Sequence, residues 1–215
     1  MRPQVLLFDV NETLSDMAPL AERFRDVGVP GEYAAAWFAG VLRDGIALAV
    51  NGEQAAFADV AAEALRAMLG GREDAVRHVM EGFMGLDVHP DVPEGVRALA
   101  RLGIRLVTLS NGSASVAEGL LDRAGLADRF ERLLSVEGAG VWKPAPAAYG
   151  YALRECGVEP AEAMLVAIHP WDTDGAARAG LRSAWLNRDG GPFPAYFRAP
   201  DVEIRSLPEL AELLR

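Results

Sequence analysis

Two aspartates, a lysine, a histidine and a few small hydroxyl and amide side chains stand where this chain can do chemistry. Asp9 ends the apolar run 5–8 and is followed by Asn11 and Thr13. Ser110 and Asn111 end a second run, Lys143 follows a third, and His169 and Asp172 follow a fourth. A carboxylate beside a lysine stays ionised at neutral pH, and an ionised carboxylate is a nucleophile. Asp9 would attack with Lys143 neutralising it, while Ser110 and Asn111 hold a negatively charged substrate group or leaving group. Thr13 either orients Asp9 or closes a turn. Ser110 and Asn111 equally suit the start of a helix at Ser113, whose N-terminus is itself an anion site. His169, with an unperturbed pKa near neutrality, is a candidate base, or a partner for Asp172 or for a water molecule.

The elements that position these groups follow from apolar periodicity. Residues 5–8 read as a strand buried in a parallel sheet. Residues 16–27, 32–50, 55–69 and 72–84 read as helices, with no strand among them. From residue 90 onward helices and strands alternate: helix 93–101, strand 104–109, helix 113–124, strand 133–136, helix 146–156, strand 163–168, helix 173–179 and strand 183–186. A short strand at 203–204 and a helix over 208–214 close the chain. The Gly- and Pro-rich stretch 189–200 reads as a surface loop near the site.

Strands joined by helices imply right-handed crossovers and a parallel sheet covered on both faces, and ligands of such sheets bind beyond the strand tips. The expected architecture is therefore α/β, a Rossmann-like core of residues 1–14 and 88–215. An all-helical insert, residues 15–87, would sit over the tips as a cap domain.

Four segments, FDVNETL, TLSNGS, WKPAPAAY and IHPWDTDGA, in this order with a helical insert after the first, resemble the four motifs of the haloacid dehalogenase superfamily. Phosphatases of that superfamily usually place a second aspartate two residues after the nucleophile, as general acid, and bind magnesium through a later aspartate. Those places here hold Asn11 and Ile168. The chain instead resembles the type II L-2-haloacid dehalogenases, with Ser110-Asn111-Gly112 and Trp171-Asp172 matching that branch. The resemblance implies a two-step hydrolysis of short 2-haloacids. Asp9 displaces the halide to form an ester, and water activated or oriented by Asp172 hydrolyses it. It implies no metal and no cofactor. The candidate substrate-binding residues are Asn11, Ser110, Asn111, Trp171 and Phe38, of which Phe38 either projects toward the strand tips or serves the core of the cap helices. The branch carries a halide-binding cap arginine just after a tryptophan. The ungapped reading of Trp37 puts Phe38 there, and Arg43 falls more than a turn later. The branch also commonly has Ser and Asn where this chain has Ala167 and His169. The alternatives are a phosphatase using the same aspartate, and a catalytically quiet binding protein on the same fold.

Composition bounds the rest. The net charge of −10 opposes nucleic-acid and anionic-membrane partners, leaving a small molecule as the expected ligand. The single cysteine, Cys156, excludes an internal disulfide framework and fits a reducing, cytoplasmic setting. The start of the chain lacks the pattern of a signal peptide, and no apolar run reads as long enough to span a membrane. The apolar surface of the helical insert suggests a homodimer.

Overall fold

A computed structural model describes residues 2–215. Met1, counted above with the core, lies outside the described residues. Six parallel strands form one sheet: β1 (Val5–Phe8), β2 (Arg105–Ser110), β3 (Arg132–Ser135), β4 (Ala163–Ala167), β5 (Arg182–Leu186) and β6 (Val202–Ile204). Their spatial order is β3-β2-β1-β4-β5-β6. The first strand is therefore central, and the strand order reverses beside it, where open α/β sheets bind ligands. Phe8 is in register with Thr108 on one side and Val166 on the other, so β1, β2 and β4 end at nearly the same level.

Alternation along β1 explains why both faces are covered. Val5 and Leu7 join one apolar cluster, Leu6 and Phe8 the other, and all four are fully buried. Helices α5 (Val92–Arg101), α6 (Ala114–Arg123) and α9 (Leu207–Leu213) supply the second cluster, whereas α7 (Pro146–Cys156) packs with the first. The last crossover helix, α8 (Pro170–Arg178), starts directly after β4.

Between β1 and α5 the chain forms four helices and no strand: α1 (Leu20–Asp26), α2 (Tyr33–Val50), α3 (Phe57–Met68) and α4 (Glu73–Met84). Their core is continuous with that of the sheet, since Phe24, Trp37, Phe57 and Phe83 share a cluster with Val5 and Leu7. Ring contacts carry this packing to the strand ends. Phe57 stacks on Trp142 with centroids 5.6 Å apart, and Phe38 lies 6.4 Å from His169. The Trp142 indole donates to the Ala55 carbonyl at 3.0 Å. Helix α2 comes close to Trp142 at Gly45, where an added Cβ would lie 2.0 Å from a ring carbon. Gly45→Ala is expected to destabilise the fold by about 1–3 kcal/mol through overpacking, read as a lower midpoint in thermal or urea unfolding.

Three expectations need correction. The helix expected over 16–27 begins only at Leu20, because Ser15 forms an antiparallel bridge to Val88 and Asp16 N–H bonds to the Asp87 carbonyl. The helix expected from 173 begins at Pro170, with His169 as its N-cap residue and a proline at its first position. Asp172 therefore sits in the first helical turn, not in a preceding loop. Finally, α2 is 18 residues long with mean hydropathy 1.3, enough by length and composition to cross a membrane. It nonetheless carries Arg43 and Asp44 and buries Trp37, Phe38 and Val41 against its neighbours.

Candidate active site

The end of β1 delivers Asp9 into a knot of charges. The Lys143 ammonium donates to Asp9 Oδ1 at 2.9 Å and to Asp172 Oδ2 at 2.6 Å. All three side chains are buried, Lys143 and Asp172 completely. Lys143 is the only lysine in the chain. Asp9 Oδ2 accepts from the Thr13 hydroxyl at 2.7 Å and pairs with His169 Nδ1 at 3.2 Å. Thr13 in turn accepts from the backbone N–H of Ile168 at 3.0 Å, which ties the turn after β1 to the end of β4.

Electrostatics sort these groups. Burial pushes the Asp9 pKa up, but the Lys143 charge, the His169 contact and the Thr13 hydrogen bond outweigh it and hold the carboxyl well below its ordinary range. Burial and the neighbouring Asp9 push Asp172 up against the pull of Lys143. Burial disfavours the Lys143 ammonium, yet the two carboxylates raise its pKa on balance. Asp9 is thus the anionic nucleophile candidate and Asp172 the more basic carboxylate.

His169 behaves differently from the base suggested by its sequence position. Burial lowers its pKa, but hydrogen bonds and charge from Asp9 and Glu12 win and raise it from 6.5 to about 9. Its two ring nitrogens face Asp9 at 3.2 Å and Glu12 at 2.8 Å, and neither bonds to Asp172. Its two carboxylate partners favour the protonated imidazolium over the neutral base. The sign of the linked stability follows: the contribution is full below pH 6.5 and is lost as pH rises through about 9. Wild-type protein should lose thermal stability across that interval, and the His169→Gln variant should show a flatter profile in a melting series at stepped pH.

The second motif also braces the site. Asn111 Oδ1 accepts from the Lys143 N–H at 2.9 Å and its amide donates to the Lys143 carbonyl at 3.4 Å. Ser110 Oγ accepts from the Gly112 N–H at 2.9 Å. Neither caps α6, whose N-cap residue Ser113 also makes no side-chain cap. Asn11 is buried with its amide close to Gly112. Trp171 stacks at a tilt on His169, with centroids 5.0 Å apart, and Phe38 faces the same imidazole. All ten candidate residues therefore fall at or beside the tips of β1, β2 and β4.

Two members of the site were not singled out from sequence. Tyr149 on α7 donates to Asp172 Oδ1 at 2.6 Å, and burial and Asp172 push its phenol well above its usual pKa. Gly175 makes room for it, since a Cβ there would lie 2.5 Å from the phenol oxygen. A polar-tipped aromatic six residues after Lys143, on a helix face of alanines, was the available signal. Glu12 is the other, with φ +63°, unusual for a residue other than glycine. The loop over 189–200 reaches α8, where Asp174 Oδ1 accepts from the Arg198 N–H at 3.0 Å. Beside the site lies an apolar cavity of about 240 Å³, bounded by Glu12, Phe38, Met17, Leu20 and Ala34. Among the described residues no three His, Cys, Asp or Glu side chains gather as metal ligands would.

Comparison with known proteins adds a family to this geometry. Residues 3–180 match the family model described as haloacid dehalogenase-like hydrolase. The chain is 35% identical over 133 residues to an (S)-2-haloacid dehalogenase of Pseudomonas sp. (strain YL), covering 62% of this chain and 57% of that one. The chain thus spans less than two thirds of that relative's length. It is 27% identical over 215 residues to (S)-2-haloacid dehalogenase 1 of Pseudomonas sp. (strain CBS-3), covering 97% and 95% of the two chains. It superposes with TM-score 0.89 and 26% identity on L-2-haloacid dehalogenase from Xanthobacter autotrophicus with chloropropionic acid covalently bound, covering 99% of this chain and 98% of that one.

Proposed function

The chain belongs to the haloacid dehalogenase-like hydrolases, and on that premise we propose that it hydrolyses the carbon–halogen bond of short 2-haloalkanoic acids. The observation that carries the reading is the Lys143 ammonium held between Asp9 and Asp172 at the central strand. One carboxylate is kept ionised for attack, and the other is kept more basic for the water step. The relatives' names and the covalently bound chloropropionic acid in the Xanthobacter structure support the substrate class.

Asp9 Oδ2 already accepts two hydrogen bonds and Oδ1 one, so Oδ1 keeps a lone pair for the substrate. Oδ1 attacks C2 from the side opposite the halogen, the halide leaves with the bonding pair, and the configuration at C2 inverts. Oδ2 then becomes the ester carbonyl oxygen, facing the Thr13 hydroxyl and the His169 imidazolium. Those donors stabilise the oxyanion formed when water adds to the ester carbon. Asp172, oriented by Lys143 and Tyr149, takes the proton from that water. Collapse breaks the bond between the Asp9 carbonyl carbon and the substrate oxygen, and the proton passes to the departing hydroxyacid. Lys143 supplies the positive charge throughout, so the scheme needs neither metal nor cofactor.

Residues 15–87 act in this reading as a cap domain over the core of 1–14 and 88–215. Their aromatic contacts at Trp142 and His169 support that role. The single cysteine supports a cytoplasmic location, and the apolar surface of the insert supports a homodimer, which a monomer mass by light scattering would reject. The test of function offers chloroacetate, 2-chloropropionate, fluoroacetate and a generic phosphate ester, each with magnesium and with chelator. Halide release that chelator leaves unchanged is expected. Magnesium-dependent phosphate release without halide release would overturn the reading.

A further inference from the structure

We propose that the Nε2 face of His169 is an anion subsite, and that the Glu12 carboxylate is its built-in occupant, displaced when a small monovalent anion binds. The inference rests on the dehalogenase reading only for the identity of that anion, either the substrate carboxylate or the departing halide. Glu12 Oε2 lies 2.8 Å from His169 Nε2, the imidazole nitrogen facing away from Asp9. The nitrogen facing Asp9 belongs to the nucleophile, so Nε2 is the donor that can be handed over.

Three observations single out Glu12 as the group that yields. First, its side chain is 35% exposed, against 12% for His169 and 6% for Asp9, so it is the outermost link of the hydrogen-bonded chain. Second, it borders the 240 Å³ apolar cavity together with Phe38, whose ring also faces His169. The cavity gives the bound molecule's apolar part a place next to the exchanged contact. Third, its backbone sits at φ +63°, pinned by its own carbonyl, which accepts from His89 Nε2 at 3.0 Å. The main chain is thereby held, and the partly exposed side chain is the part that can yield.

Charge favours the exchange. Asp9, Asp172 and Glu12 face two cations, Lys143 and His169. An anion added beside all three carboxylates meets net repulsion, whereas one that replaces Glu12 keeps the count and inherits a charge-assisted hydrogen bond. Glu12 thus stands in for the ligand's charge and keeps the imidazolium paired when no substrate is bound.

The test measures binding without turnover, using propionate and bromide as separate probes on wild type, Glu12→Gln and Glu12→Gly, by titration calorimetry and by the imidazole NMR signals of His169. Glu12→Gly keeps a backbone that tolerates positive φ, so the result does not depend on how glutamine fits. An occupant that fills the subsite about nine-tenths of the time lowers apparent affinity about 10-fold, and both variants should recover that factor for at least one probe. The His169 signals should shift when that probe binds. A gain for propionate alone assigns the subsite to the substrate carboxylate, and a gain for bromide alone to the halide. Unchanged or weaker binding of both probes in both variants, or His169 signals that do not move, would overturn the proposal. Because neither probe reacts, failure of dehalogenation itself leaves a different record.

Discussion

Asp9→Asn is expected to lower kcat on 2-chloropropionate by at least about 10⁴-fold, because an amide oxygen is too weak a nucleophile to displace halide. The fold should survive the change. Lys143 keeps its 2.6 Å contact with Asp172, and His169 keeps its 2.8 Å contact with Glu12, so no buried charge loses its last partner. A protein that still folds but melts at a lower temperature, because the stabilising Asp9 charge is gone, with halide release at background, is the expected pair of results. Halide release within 10-fold of wild type would mean that Asp9 is not the nucleophile.

Lys143→Met should damage both stability and activity. Removing the ammonium leaves Asp9 and Asp172 facing each other without it, at sites almost sealed from solvent. Breaking a buried pair in this way costs about 3–5 kcal/mol, because the charges left behind remain desolvated. With Lys143 gone, burial, which pushes Asp9 up, loses its main opponent. The sign is definite. Asp9 would hold its proton to higher pH, so the acid limb of the kcat/KM profile should move to higher pH while the rate at neutral pH falls about 10²–10³-fold. A profile with an unmoved acid limb would deny Lys143 its electrostatic role. In wild type the depressed Asp9 pKa stabilises the fold above pH 3.8 and surrenders that stability as pH falls further.

Much of this site is written in the sequence because its parts stand at strand ends. Asp9 follows the apolar run 5–8, which reads as a strand buried in a parallel sheet and forms the central one. The boundary errors have local causes. Asp16 and Pro19 look like a helix start, but the Ser15–Val88 bridge holds that stretch in a turn, a contact between residues more than seventy positions apart. Pro170 looks like a breaker, yet proline at the first helical position is favourable, and it brings Asp172 onto the first turn of α8.

The partners of His169 were not legible, because a histidine's role depends on which side chains face its two nitrogens. Glu12 lies 157 positions away in the chain and approaches only through a turn with positive φ. The same distance effect hid Tyr149, whose link to Asp172 crosses from one helix to another. Asn111 shows the converse. Its place in a Ser-Asn-Gly motif suggests direct contact with substrate, and the structure adds a second task, since its amide also holds the Lys143 backbone in place.

The most direct test of the account is a single turnover of 2-chloropropionate in water enriched in oxygen-18, with enzyme in excess. Water adds to the Asp9 carbonyl carbon, so the peptide containing Asp9 should gain one heavy oxygen and the 2-hydroxypropionate should carry none. Heavy oxygen in the product with an unlabelled Asp9 would mean that water attacks C2 directly, and the aspartyl ester would have to be abandoned.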